Sequence, residues 1–558
     1  MYISDKTYCR IYSVTPIYLF LMIEKKSKFG LVNPDGSPYM IKEREKTLLK
    51  RVLLINPNHG GSEGFQVPAR TEPLGLEYVA GAITDIVEDV RIHDDSAEPG
   101  GWKEEIRQHP PEFIGISCNY TVAIPEVKRL AKEIRKMLGK DIPIVIGGHA
   151  VSLKPDEMFI KEVDAIVIGQ GEKPFREAIE EYAKTHSFEQ VENIYYRNKD
   201  NEFISNVRPY EILEKDKRTK FSSPYMTELP EPRKDLVDRF RESYYLLYYP
   251  NPQILRTADG CTNQCIFCSS HKFNKEMYQS ESADQTIKKL QAIPDKSYVM
   301  LPDDFAFYDT KAWNKIADYL IETKSKRRIW AQTRADFIVH NEALIEKLAL
   351  AGLDMVLVGL ESFDKSYLKK VGKGEEVIQN IKDNFEAMRI LKKYKIGLWG
   401  AQILFPNFKK ENFINLADIN NEKKVESPQF AIYTPLHGTE LYKKLLASGK
   451  LTGHENPRRF DLFSSVLRTT RMSKGEFYAW RDWLYNHTGS MSQEKLKQDV
   501  RADLTTWEHI RDFMDRQKQA YNTESDRYKK YIPEAYKPKD YPKAIEIFSD
   551  EKAKKEEI

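Results

Sequence analysis

Three of the five cysteines in this chain of 558 residues lie within eight consecutive positions, and their spacing is the strongest indication of chemistry in the sequence. Cys261, Cys265 and Cys268 are separated first by three and then by two residues. Three thiolates at this spacing in one loop can bind three corners of a cubane iron–sulfur cluster, whose full ligation normally takes four cysteines. One iron would then be open to another ligand, which favours a catalytic cluster over one that stores electrons.

A zinc ion is the alternative metal for this loop, with His271 as the fourth ligand. Structural zinc sites usually combine ligands from two separated segments of the chain, whereas these four lie within eleven residues. We therefore favour the iron–sulfur cluster and keep a non-catalytic iron–sulfur or zinc protein as an alternative. The other two cysteines, Cys9 and Cys118, are expected to be ordinary residues that bind no metal.

The cysteine loop follows the first of six short apolar segments that alternate with helical patterns. These predicted strands cover residues 253–258, 297–301, 328–333, 354–359, 396–404 and 429–434. Six consecutive strand–helix units predict an incomplete parallel barrel, and the site of such a barrel lies at the carboxyl ends of its strands. The cysteine loop occupies one of those ends.

A second strand–helix series precedes the barrel. Its predicted strands cover residues 51–56, 89–93, 113–117, 144–147 and 165–169. This alternation predicts an α/β domain with a doubly wound parallel sheet, which binds ligands beyond the carboxyl ends of its strands. Four loops at those ends are rich in glycine and polar residues: Asn58-His59-Gly60-Gly61, Asn119-Tyr120-Thr121, Gly147-Gly148-His149 and Gly169-Gln170-Gly171-Glu172. Turn formation explains any single loop equally well, but four on one edge favour a ligand that the backbone approaches closely.

The overall composition excludes several classes of partner. The 87 basic and 84 acidic residues nearly cancel, so the chain has no general field that attracts nucleic acid or an anionic membrane. The most apolar early stretch, Val14 to Ile23, is too short to span a bilayer and lacks the features of a signal peptide. Few and clustered cysteines favour a reducing compartment. We therefore expect a cytoplasmic protein with no nucleic-acid partner and no stable membrane insertion.

The pattern Cys-x₃-Cys-x-Phe-Cys on the first loop of a six-unit partial barrel resembles the radical S-adenosylmethionine (SAM) superfamily. The resemblance implies that SAM binds the open iron of a [4Fe–4S] cluster. An electron from a donor of the flavodoxin or ferredoxin type then cleaves SAM to methionine and a 5′-deoxyadenosyl radical. Strand-end motifs similar to those of the superfamily imply the SAM contacts Phe267, Asp303, Arg334, Glu361 and Ser362. The usual Gly-Gly-Glu of the second strand is absent, and Pro302-Asp303-Asp304 stands in its place.

Placed before this barrel, the α/β domain resembles that of the cobalamin-binding radical SAM enzymes, which include radical methylases and anaerobic oxidative cyclases. The shared motifs are Pro73-Leu74-Gly75-Leu76-Glu77-Tyr78, Ile146-Gly147-Gly148-His149, Gly169-Gln170-Gly171-Glu172, Leu229-Pro230, Gly260-Cys261, Tyr433-Thr434-Pro435 and Gly438-Thr439. The implied cobalamin contacts are Asn58, His59, Gly60, Asn119, Thr121, Gly147, Gly148, His149, Gly169, Gly171 and Glu172. Pro57 and Ser62 flank His59 where an Asp-x-His-x-x-Gly motif needs Asp and Gly, so no histidine bond to cobalt is expected.

The resemblance covers roughly residues 50 to 450 and sets the expected domain plan. This plan has an amino-terminal extension, a Rossmann-like cobalamin-binding domain, a linker, a radical SAM core with a partial (β/α)₆ barrel, and a helical carboxyl-terminal region with a charged tail. The expected boundaries are 1–48, 49–190, 191–250, 251–447 and 448–558.

The expected reaction is methylation of an unactivated carbon, or a similar centre, in a small-molecule or lipid-like substrate. A non-methylating oxidative cyclase or rearrangement enzyme is an alternative. A second alternative is a radical SAM enzyme whose front domain is only a partner or substrate module. A methylthiotransferase acting on tRNA is disfavoured, since the front domain has no cysteine triad. No catalytic side chain is assigned.

Overall fold

The computed structural model describes residues 47–58, 68–209, 217–370, 377–488, 507–520 and 530–532. His59 and Gly60 lie outside the described residues. The same holds for nearly all of the predicted amino-terminal extension and for the charged tail. Among the helices that are described, none is long and apolar enough to cross a membrane.

The front domain contains a seven-stranded sheet with the order β3-β1-β4-β5-β6-β7-β8. Its strands are β1 (Leu49–Asn56), β3 (Val87–Asp94), β4 (Phe113–Ser117), β5 (Ile144–Gly147), β6 (Ala165–Val167), β7 (Ile194–Arg197) and β8 (Phe203–Ser205). The first five pair in parallel, which confirms the predicted doubly wound sheet. The last two add an antiparallel hairpin. The sheet therefore extends into residues 191–250, the predicted linker.

Both faces of this sheet are covered, as the side chains of β1 show. Val52 and Leu54 pack into one hydrophobic cluster, whereas Leu53 and Ile55 pack into another on the opposite face. Alternate residues of a strand point to opposite faces, so an uninterrupted apolar run is typical of a strand between two helical layers. The helices of these layers are Leu74–Ile83, Trp102–Gln108, Ile124–Leu138, His149–Leu153 and Glu172–Thr185.

The barrel is a six-stranded parallel sheet whose strands follow one another in chain order. They are β12 (Gln253–Ile254), β15 (Tyr298–Met300), β16 (Arg328–Thr333), β17 (Leu353–Glu361), β18 (Gly397–Leu404) and β19 (Ser427–Ile432). This arrangement confirms the predicted partial barrel. The described helices around it are Ser270–Phe273, Ala283–Ala292, Thr310–Glu322, Ala335–His340, Glu342–Leu350, Lys365–Lys370, Val377–Lys393, Lys410–Glu422 and Glu440–Ala447.

The first barrel strand is shorter than predicted because the chain leaves the sheet after Ile254. Residues Ala258–Gly260 form β13, which pairs antiparallel with β14 (Tyr278–Ser280). β14 in turn pairs with β9 (Thr219–Lys220) in a separate three-stranded sheet. The remaining short strands are β2 (Ala69–Arg70), β10 (Tyr245–Leu246) and β11 (Tyr249–Pro250), which form a third small sheet.

The carboxyl-terminal region is helical where it is described and packs on the barrel. The helix Lys474–His487 buries Trp480 and Trp483 in a cluster with side chains of β18 and β19. The helix Trp507–Ala520 contributes Ile510 and Phe513 to a cluster with Trp330, Met355 and Trp399. These three belong to neighbouring barrel strands and lie near their amino-terminal ends. The helix therefore covers the barrel at the end opposite the cysteine loop.

Candidate cluster and cofactor site

The cysteine loop runs from the end of β13 to the short helix Ser270–Phe273. Its three cysteines are half-buried and form no disulfide. Burial raises the pKa of the Cys268 thiol to about 12, and the nearby carboxylate of Asp304 adds to this shift. The backbone N–H of Cys268 donates to the carbonyl of Cys265 at 3.0 Å. This bond closes a tight turn that holds the second and third cysteines next to each other.

The three cysteines are a donor set that suits an iron–sulfur cluster. Each thiolate of such a cluster binds a different iron, and three thiolates leave one iron open. His271, the candidate fourth ligand of a zinc ion, is buried in the short helix that follows the loop. Within the described ranges, no group of three or more Cys, His, Asp or Glu side chains is placed to hold one metal ion.

A cavity of about 100 Å³ lies directly beside the cysteine loop. Cys261 and Cys265 line it together with Arg334, at the end of β16, and Glu361, at the end of β17. The structure thus brings two of the predicted SAM contacts next to two of the predicted cluster ligands. Contact of Arg334 and Glu361 with SAM remains a prediction.

Backbone geometry directs the side chain of Glu361, and contacts with neighbouring side chains direct that of Arg334. A bulge between Gly359 and Glu361 interrupts the pairing of β17 with β18, and Glu361 adopts a φ of +56°, which is unusual for a residue with a side chain. Arg334 donates from Nε to Asp336 Oδ1 at 2.9 Å and lies over the ring of Phe305. The guanidinium of Arg334 and the carboxylate of Glu361 therefore face one cavity beside the thiols.

The other three predicted SAM contacts do not line this cavity. Asp303 is buried and accepts a hydrogen bond from the backbone N–H of Thr257 at 3.1 Å, and burial raises its pKa to about 7. Ser362 is buried, and its Oγ accepts from the N–H of Asp364 at 3.1 Å. Phe267 packs against an apolar cluster formed by the later barrel strands. Their contact with SAM remains a prediction.

Three polar residues that the sequence pattern does not predict also line this cavity: Asn380, Asp383 and Asn384. They lie on the helix Val377–Lys393, which follows β17. Asn384 donates to the carbonyl of Leu360 at 2.9 Å, so it also fixes the end of β17. Polar residues three and four positions apart share one face of a helix. That spacing is the signal that could have identified them.

The four glycine-rich and polar loops of the front domain follow β1, β4, β5 and β6, which are consecutive neighbours in the sheet. The described residues predicted to contact cobalamin therefore lie along one edge: Asn58, Asn119, Thr121, Gly147, Gly148, His149, Gly169, Gly171 and Glu172. Tyr120, in the loop after β4, exposes 41% of its surface. Contact of these residues with cobalamin remains a prediction.

Three side chains of this edge reach the barrel beside the cysteine loop. His149 Nε2 lies 3.0 Å from Ser269 Oγ. Gln170 Nε2 donates to Asp259 Oδ2 at 3.5 Å, and Glu172 Oε1 accepts from Arg256 at 3.0 Å. The carboxyl edge of the front sheet thus faces the carboxyl end of the first barrel strand. Ligands bound at the two sites would lie close to each other.

Two of the predicted cobalamin contacts, His149 and Glu172, also form contacts between the domains. Burial lowers the pKa of His149 to about 4, so the imidazole is neutral. Its ring stacks on Phe273, with 4.6 Å between the ring centroids. Glu172 is buried in its ion pair with Arg256. Both side chains join the two domains in this structure.

Comparison with known proteins identifies both halves of this arrangement. Residues 64–179 match the family of B12 binding domains, and residues 255–419 match the radical SAM superfamily. The chain belongs to the cobalamin-binding radical SAM enzymes. Its cofactors are a [4Fe–4S] cluster, SAM and cobalamin, as the sequence predicts.

Individual relatives agree with this assignment. The chain is 24% identical over 416 residues to the hopanoid C-3 methylase of Methylococcus capsulatus, covering 73% of this chain and 75% of that protein. It is 24% identical over 450 residues to the anaerobic magnesium-protoporphyrin IX monomethyl ester cyclase of Synechocystis, covering 77% and 84%. The solved structure of the cobalamin-dependent SAM radical enzyme OxsB, with aqua-cobalamin and SAM bound, superimposes with a TM-score of 0.60 at 16% identity, covering 87% of this chain and 75% of OxsB. The fold is therefore shared over most of the chain.

Proposed function

We propose that this enzyme methylates an unactivated carbon of a small-molecule or lipid-like substrate. The observation that carries the proposal is the contact between the two predicted cofactor sites. The strand-end loops of the B12-binding domain touch the cysteine loop through His149. They also touch Asp259 and Arg256, just before that loop, through Gln170 and Glu172. A substrate placed between these sites would be within reach of both cofactors.

The chain's residues divide the work between two sites. Cys261, Cys265 and Cys268 ligate the cluster, and the cavity with Arg334 and Glu361 receives SAM beside it. The strand-end loops of the front domain receive cobalamin. When bound, the cluster and SAM supply a radical that abstracts hydrogen, and cobalamin supplies the methyl group. Each turnover converts one SAM to S-adenosylhomocysteine and a second to methionine and 5′-deoxyadenosine, and it consumes two electrons.

The named relatives support methyl transfer and also define the competing outcome. The hopanoid C-3 methylase acts on a lipid, which supports the lipid-like class of substrate. The relative from Synechocystis is a cyclase, so an oxidative reaction without methyl transfer is the second candidate. For the electrons, we propose a donor of the flavodoxin or ferredoxin type. A cytoplasmic location is part of the proposal, because few and clustered cysteines favour a reducing compartment.

Mass spectrometry of the products of SAM distinguishes these reactions. The full chain is reconstituted anaerobically with iron, sulfide and cobalamin and is then given SAM, a reductant and a set of candidate substrates. Methyl transfer yields S-adenosylhomocysteine and 5′-deoxyadenosine in equal amounts. With the correct substrate, 5′-deoxyadenosine alone would contradict methylation and favour the cyclase reaction. The triple change of Cys261, Cys265 and Cys268 to Ala should form neither product, whereas the matched change Cys9→Ala should leave both.

A further inference from the structure

The short helix after the last cluster cysteine is clamped from two sides. On one side, the imidazole of His149 bonds to Ser269 at its start and stacks on Phe273 at its end. On the other side, the carboxylate of Asp304 accepts hydrogen bonds from Ser270 Oγ and from Asn274 Nδ2. His149 belongs to the B12-binding domain, whereas the helix and Asp304 belong to the barrel. The B12-binding domain therefore helps to hold this turn of the barrel in place.

This turn directly follows the last of the three predicted cluster ligands. Ser269, which His149 contacts, is the next residue in the chain after Cys268, and the backbone N–H of Cys268 donates to the carbonyl of Cys265 at 3.0 Å. The surroundings of the ligating sulfurs and their solvent exposure set the reduction potential of an iron–sulfur cluster. A movement of the turn would shift the Cys268 sulfur and change how far that side of the cluster is exposed to water. The contacts that fix the turn thus bear on the electronic state of the cluster.

The imidazole itself is fixed by the front sheet. The backbone N–H of His149 points to Asn119 Oδ1 at 3.4 Å, which ties the loop after β5 to the loop after β4. The preceding Gly148 has a φ of +118°, and a Cβ there would lie 2.6 Å from the same Asn119 oxygen. Backbone geometry therefore allows only glycine here and sets the direction in which His149 leaves the sheet.

We propose that His149 is a positioning residue for the iron–sulfur cluster. Through Ser269 it holds the turn that begins directly after Cys268, so the B12-binding domain influences the electronic properties of a cluster that it does not ligate. The inference goes beyond the proposed methyl transfer and holds equally for a cyclase reaction. It predicts that removing either partner of the contact between His149 and Ser269 changes the cluster in the same way, and that removing both adds nothing further.

A double-mutant cycle on the full chain tests this prediction. His149→Phe keeps an aromatic ring for Phe273 but removes the nitrogen that bonds Ser269. Ser269→Ala removes the other partner without touching the front domain. We expect both single variants and the double variant to show the same shift in reduction potential and the same change in the electron paramagnetic resonance spectrum of the reduced cluster. Coupled residues give such non-additive effects. His149→Gln, which restores a polar group, should return both signals towards wild type.

Three measurements and one control variant guard against a purely structural explanation. Iron, cobalamin and melting temperature are determined for every variant, and His109→Phe serves as the matched control because His109 precedes β4 at the opposite edge of the front sheet. The proposal is overturned if potential and spectrum stay at wild-type values, if the effects of the two single changes add, or if only His149→Phe loses the cluster. Loss of cobalamin with an unchanged cluster spectrum would make His149 a cobalamin contact instead. None of these readouts needs a substrate, so failure of the proposed methylation would remain distinguishable.

Discussion

Gly260 immediately precedes Cys261, the first of the three predicted cluster ligands, and adopts a φ of +80°. A Cβ at this position would lie 1.9 Å from the carbonyl oxygen of Met277, which belongs to the segment leading into β14. Any side chain must therefore push β13 away from β14 and displace Cys261. The cysteine loop depends on this backbone conformation as much as on its thiols.

We expect Gly260→Ala to lose most of its iron and all SAM cleavage, because the displaced loop can no longer present three thiolates to one cluster. Gly449→Ala is the matched control, since Gly449 also has a positive φ, +63°, but has no atom within 4 Å of the added Cβ. That change should cost only about 1 kcal/mol of stability and should keep the iron. Iron analysis and absorbance after anaerobic reconstitution check both variants, and full iron content in Gly260→Ala would contradict the expectation.

At the scale of single residues, strand-end position predicts where a side chain starts but not where it points. Arg334 and Glu361 face the cavity beside the thiols, as their place at strand ends predicts. Asp303 occupies an equivalent strand end, yet its carboxylate turns to the backbone of Thr257. Asn380 and Asp383 were missed because their approach to the cavity depends on how a helix packs over β17. The sequence pattern does not contain that packing.

At the scale of elements, the helix Leu74–Ile83 carries a carboxyl group that is fully buried. Neither side-chain oxygen of Glu77 has a hydrogen-bond partner. Burial, together with the nearby Glu72, raises its pKa to about 8, although Lys234 lies 3.9 Å away. The folded protein therefore holds this proton more tightly than the unfolded chain does. Stability should fall as the pH rises from the unfolded pKa towards 8.

We expect Glu77→Gln to remove the loss of folding stability that accompanies rising pH. At pH 5 the variant and the wild type should have similar melting temperatures, because Glu77 is then largely protonated in the folded protein. At pH 8 the variant should be more stable, since each unit of pKa shift corresponds to about 1.4 kcal/mol. Thermal melts of the full chain across this range measure the difference. An equal gap at both pH values would show that Glu77 is not the titrating group.

The predicted strands agree with the structure where an apolar run is almost fully buried. This holds even for β5 and β6, which have only four and three residues. The sequence pattern does not predict the hairpin of β7 and β8, because these equally short strands are only partly buried and give no continuous apolar run. The first barrel strand was predicted too long, since Arg256 and Thr257 read as a continuation of it although they turn away to bond Asp259 and Asp303.

At the scale of the whole molecule, the order of the domains carries most of the functional information. The cysteine spacing alone predicts only a cluster. The α/β domain in front of it predicts cobalamin, and both family matches confirm this combination. The substrate has no comparable signal, because pocket residues come from loops and terminal helices whose packing is not encoded in a short motif.

The cobalt ligand can be tested in the assembled enzyme. His59 lies outside the described residues and lacks the flanking Asp and Gly of the base-off motif. We therefore expect His59→Ala to leave cobalamin content and the electron paramagnetic resonance spectrum of cob(II)alamin unchanged. A nitrogen superhyperfine pattern that is present in the wild type and vanishes in this variant would contradict the prediction.

The ion pair between Glu172 and Arg256 has a consequence for how such enzymes can be recombined. Glu172 Oε1 bonds Arg256, whereas its Oε2 is buried and accepts no hydrogen bond from the described residues. The two halves of the pair are not equivalent in a chimera that takes its front domain from one relative and its barrel from another. A barrel that has Arg256 but receives a front domain without Glu172 keeps the ion pair of Arg256 with Asp259. A front domain that has Glu172 but receives a barrel without Arg256 leaves a buried carboxylate without its partner, at a cost of roughly 3–5 kcal/mol. The front domain therefore restricts which barrels it can be joined to more than the barrel restricts its front domain.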